Sequence, residues 1–88
     1  MPYIKQDQRP PIDSALQPLI EHLKSLPLEE QDGALNYAVT KTVKELYPIK
    51  YFHLNRAIGV LTAIKDELYR VVVAPYEDEK IKENGTVD

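Results

Sequence analysis

The stretch from Tyr51 to Ala74, YFHLNRAIGVLTAIKDELYRVVVA, keeps helical periodicity throughout and has no interior proline. As a helix rising ~1.5 Å per residue it spans ~35 Å. A compact globule of this chain length is only about 30 Å across. A helix over 51–74 therefore overhangs any single-chain globule that packs on it. Turned at about 100° per residue, Leu54, Ile58, Leu61, Leu68 and Val72 fall on one flank, and Ala57, Val60, Ile64 and Val71 continue the arc. This apolar sector is wider than one neighbour requires. Opposite it run Asn55, Gly59, Thr62, Asp66 and Tyr69, bordered by Arg56, Glu67 and Arg70. Gly59 costs up to ~1 kcal/mol relative to alanine in a helix interior. Close approach by a neighbour or ligand would offset that cost.

The chain has 88 residues, enough for one domain that buries roughly 60–65% of its unfolded surface. Copies sharing a core would add stability to so small a domain. There is no cysteine, which excludes disulfides and thiolate metal sites. A net charge of −3 gives no basic footprint for nucleic-acid binding. The opening MPYIKQDQRPP lacks the apolar run of a signal peptide, and no apolar run is long enough to cross a membrane. The expected location is cytoplasmic.

The chain reads as a single all-α domain over 1–88. Prolines 2, 10 and 11 predict an extended arm over 1–11. A first helix is expected over 12–26, with Pro18 in its first turns. LEEQDG reads as a polar connection, and a second helix over 32–47 starts at Asp32 and stops before Pro48. The long helix covers 51–74, and Pro75 breaks it. A short helix over 75–84 and a tail over 85–88 follow. The expected architecture is a small antiparallel bundle of three to four helices, one long and central, assembled into a homo-oligomer.

His22 and His53 stand alone, without the spacing of a metal site, so no metal and no cofactor is expected. Carboxylates at Glu29, Glu30, Asp32, Glu67 and Glu77–Glu79 leave open a metal-dependent nucleotide hydrolase, but the paired carboxylate motifs of helical hydrolases are incomplete. The stronger candidate is a half-buried polar set: Asn36, Tyr37 and Thr40 on the second helix, and Asn55, Gly59, Asp66, Tyr69 and Arg70 on the long one. This set reads either as an internal network, with Arg70 paired to Asp66 and Glu67, or as a pocket for a small planar or anionic ligand. In the pocket, tyrosine stacks, asparagine reads an edge and arginine takes a phosphate or carboxylate.

The pieces MPYI, GALNYAVT (33–40), LNRAIGVL (54–61), ELYR (67–70) and APYEDEKIKENG (74–85) resemble a widespread family of short uncharacterised proteins of bacteria, archaea and phages. The family pattern commonly has arginine where this chain has Val71, and aspartate where it has Thr86. The resemblance implies no activity. Its occurrence in phages implies an accessory role such as sequestering a signalling nucleotide. The reading is a non-enzymatic binding or assembly protein whose partners are copies of itself and a small nucleotide-like ligand.

Overall fold

The computed structural model describes residues 4–87, and among them it is all-helical, with three helices and no strand. The sequence predicts one domain, and within the chain the contacts group into two compact units that meet at Lys50 and Tyr51.

The first unit holds two helices. A single 3-10 turn, Gln6–Gln8, leads into α1, Arg9–Ser25. The Lys5 amide donates to Gln8 Oε1 at 3.0 Å, and the Gln8 amide returns a bond to the Lys5 carbonyl at 3.0 Å. The helix thus begins three residues before the expected Ile12. Pro10 and Pro11 lie in its first turn, where backbone amides have no helical acceptor, so they start the helix rather than extend the arm. Pro18 consequently sits in the interior of α1 and not in its first turns.

Leu26 is extended (φ −77°, ψ 150°), the conformation that a following proline imposes. Helix α2 then runs Leu28–Leu46. The expected polar connection at LEEQDG is instead its first turns. Pro27 occupies the capping position, and Glu29 and Glu30 face the positive end of the helix dipole. Gln31 Nε2 donates back to the Leu26 carbonyl at 3.1 Å, which ties the turn down. Helix α2 ends where Tyr47 turns extended ahead of Pro48.

The second unit is one continuous helical rod, α3, over residues 51–84. It is α-helical over Tyr51–Leu68, widens to a π-turn over Tyr69–Val73, and is α-helical again over Ala74–Asn84. Pro75 therefore does not break the helix. In a uniform α-helix its ring would press on the Val71 carbonyl, and its missing amide would leave that carbonyl unpaired. The wider turn, in which the Ala74 amide reaches back to the Tyr69 carbonyl, takes the chain past this clash. The rod is ~51 Å long. It ends at Gly85, whose φ of 81° favours glycine and whose amide caps Ile81. No described helix is long and apolar enough to cross a membrane.

Restoring an amide at position 18 tests how α1 is built. Pro18→Ala removes an interior proline, which costs about 3 kcal/mol in a helix. The variant should gain helicity by circular dichroism and melt at higher temperature. An unchanged or lowered melt would mean that α1 depends on its proline.

Candidate functional site

The eight candidate residues divide between the two units. On α2, Thr40 Oγ1 donates to Asn36 Oδ1 at 3.4 Å, so these two share an exposed shoulder. Tyr37 faces away from them into an open groove of about 770 Å³ between α1 and α2. Leu19, Leu23, Ala34, Ala38 and Leu46 make that groove largely apolar, and His22, Lys41 and Glu45 add polar edges. Lys41 and Glu45 form an exposed ion pair at 3.9 Å, one helical turn apart.

The sequence places Tyr37 in the half-buried polar set and gives no role to His22, Lys41 or Glu45. In the structure all four line the groove. The signal for His22 was its position between Leu19 and Leu23 at helical spacing. Nothing in α2 alone marks the Tyr37 side, because which shoulder of an amphipathic helix meets a neighbour depends on that neighbour.

The other five residues lie on α3. Asn55 and Arg70 are separated by fifteen positions, ~22 Å along the axis. One small ligand cannot span them in a single copy. A Cβ built on Gly59 meets nothing within 4 Å, so no part of this chain uses the room that the glycine leaves. The expected pairing of Asp66 with Arg70 does not form. Asp66 sits 4.0 Å from Lys65, and Arg70 carries no ion pair among the described residues. At the start of the rod, Arg56 Nη1 donates to His53 Nδ1 at 2.8 Å, which leaves the imidazole proton on Nε2. Arg56 also lies 5.9 Å from the centre of the Phe52 ring.

Tyr69 has the best-defined environment of the set. Its hydroxyl donates to Glu77 Oε1 at 2.6 Å, eight positions along the same rod. In a uniform α-helix those residues would be about 80° apart around the axis. The π-turn inserts the equivalent of one extra residue, and the slip of ~100° brings them onto one face. The same feature that accommodates Pro75 thus presents Tyr69 to Glu77. The hydrogen bond to the Glu77 carboxylate, and then its charge, raise the Tyr69 hydroxyl above the ordinary tyrosine range, with smaller effects from desolvation and Asp78.

The sign of the pH effect follows. A raised tyrosine pKa means that the contact is fully present below the ordinary value of about 10 and is lost as pH rises through the raised one. Glu77→Gln removes the anionic acceptor and should return Tyr69 to the ordinary range. Absorbance titrations of the variant and the parent, each differenced against Tyr69→Phe, measure this. Equal Tyr69 midpoints would show that the contact is absent in solution.

Among the described residues, no three histidine, aspartate or glutamate side chains converge as metal ligands. No curated protein and no solved structure gives a significant match to the chain. A family model does match residues 1–87, and the chain belongs to that family, the domain of unknown function DUF6899.

Proposed function

We propose that this chain is a non-enzymatic helical protein that assembles with copies of itself into a bundle. The observation that carries the reading is the open apolar flank of α3. Ile58 is 63% exposed, Leu68 56% and Val72 55%, although all three lie on the helix's apolar arc. Among the described residues only Ala57, at 3%, is buried. Helices α1 and α2, of 17 and 19 residues, are ~26 and ~29 Å long, roughly half the length of the rod. Neither is as long as the rod, which supports a second chain on part of its flank.

A specific observation favours a second function on the same helix. Arg70 carries no ion pair among the described residues and stands beside Tyr69, both lie in a π-turn, and π-turns recur at functional sites. With Asn55, Gly59 and Asp66 on the stripe, and Asn36, Tyr37 and Thr40 on α2, this is the inventory for a small nucleotide-like anion. A cytoplasmic phage or mobile-element accessory protein that sequesters such a ligand fits the resemblance to phage proteins. The hydrolase reading has less support. Glu77 accepts the Tyr69 hydroxyl, and Glu79 pairs with Lys82 at 3.3 Å, so two of its carboxylates are engaged locally.

Assembly makes the thermal midpoint rise with protein concentration. Melts by circular dichroism from about 1 to 100 μM should therefore shift upward, and a midpoint constant across that range would contradict assembly. Calorimetry with cyclic and linear nucleotides tests the ligand. Arg70→Ala removes a charge-assisted bond of about 1.5–3 kcal/mol and should weaken binding roughly ten- to a hundredfold. Absence of heat with the parent protein would remove the nucleotide reading.

A further inference from the structure

We infer that Pro75 decides whether Glu77 partners Tyr69 or Arg70, and that by holding the π-turn it keeps Arg70 clear of a carboxylate. Pro75 is thus a positioning residue for the arginine. Every residue involved lies on the rod, so the exchange of partners depends on that helix alone. The benefit, an arginine open to an anion, rests on the ligand reading above.

Angles around the axis give the first argument. In a uniform α-helix, Arg70 and Glu77 lie seven positions apart, about 20° short of two full turns, and so share a face. Tyr69 would stand about 80° from Glu77. The structure reverses this preference. The π-turn over Tyr69–Val73 turns everything beyond it back by ~100°, which brings Tyr69 within about 20° of Glu77 and leaves Arg70 about 120° away. The Tyr69 hydroxyl accordingly donates to Glu77 Oε1 at 2.6 Å, while Arg70 carries no ion pair among the described residues. Reach does not limit the alternative. Arginine extends at least as far from the backbone as tyrosine, and two turns of uniform helix separate Arg70 from Glu77 by only ~10 Å along the axis.

The second argument is where the neighbouring contacts fall. Lys80–Glu83 at 3.1 Å, Lys82–Glu79 at 3.3 Å and Lys80 Nζ, 5.5 Å from the centre of the Tyr76 ring, all lie beyond the π-turn. Before it, Asp66 lies 4.0 Å from Lys65. These contacts travel with their own segments and are the same in either register. The Tyr69–Glu77 bond spans the π-turn and is lost with it.

The third is the proline. Inside a uniform α-helix, proline is disfavoured against alanine by roughly a hundredfold. At position 75 that penalty falls on the uniform register, in which the ring meets the Val71 carbonyl. Alanine there lifts the penalty and gives the Val71 carbonyl an amide. The common α ladder then closes in place of the rarer π one, and Glu77 swings from Tyr69 to Arg70.

Pro75→Ala tests the exchange without a ligand. Circular dichroism checks the fold first. Should alanine unfold the chain, Pro75→Ser restores the same amide and carries the same measurements. In the variant, Tyr69 should titrate in the ordinary tyrosine range, below its midpoint in the parent, by absorbance differenced against the same chain with Tyr69→Phe. The Arg70 Nε–H signal in nuclear magnetic resonance should shift on adding Glu77→Gln, several times further in the variant than in the parent. A folded variant whose Tyr69 keeps the parent's midpoint would overturn the inference, because the register would then not depend on Pro75. A released Tyr69 with an Arg70 signal indifferent to Glu77→Gln would overturn the exchange of partners. Where the parent binds a nucleotide, Pro75→Ala should weaken binding a few-fold, about the strength of an exposed ion pair. Unchanged affinity would overturn the benefit to Arg70. A parent that binds no nucleotide would sink the ligand reading alone, since neither spectroscopic measurement involves one.

Discussion

The interaction that everything else here depends on is burial of the apolar flank of α3, where Ile58, Leu68 and Val72 are each more than half exposed. A fully buried leucine, isoleucine or valine contributes about 1.5–3 kcal/mol. Leu54, Ile58, Leu68 and Val72 each keep roughly half of their surface in water. Covering them would add about 1 kcal/mol apiece, several kcal/mol for each copy. Against a typical margin of ~5–15 kcal/mol for a whole domain, that is a large fraction. The rod is about twice as long as either α1 or α2.

Proline sets the boundaries of the helices and the shape of the rod. Pro27 and Pro48 force their predecessors into extended backbone and so separate α1, α2 and α3. Pro75 acts differently because a continuing helix surrounds it on both sides. The π-turn that accommodates it rotates everything after Val73 by about a quarter turn relative to the preceding helix. Tyr69 reaches Glu77 as a result, and Arg70 beside it carries no ion pair among the described residues. A local solution to a steric clash therefore arranges the residues with the clearest chemistry.

Much of the helical content was legible because amphipathic spacing and absent β-alternation are strong local signals. The boundaries were harder. Pro10 and Pro11 read as an extended arm, yet the same lack of amide donors suits a helix start, and only the chain after them decides which applies. LEEQDG looked like a loop because Gly33 and Asp32 are turn residues. Glu29 and Glu30 stabilise the helix start strongly enough to carry it through both. The candidate site was legible as an inventory and not as a place. Asn36 and Thr40 share a shoulder that Tyr37 does not. The partner expected for Arg70 is drawn instead to Lys65, a choice that i, i+4 spacing cannot reveal. His22 entered the groove because α1 and α2 meet on the Tyr37 side of α2.

Molar mass in solution bears on the central claim most directly. One chain weighs 10.1 kDa. Light scattering behind size exclusion, at tens of micromolar and moderate salt, should return an integer multiple of at least two chains. A well-folded, fully helical species at the mass of a single chain would contradict the account, because the flank of α3 would then be stable in water without a partner.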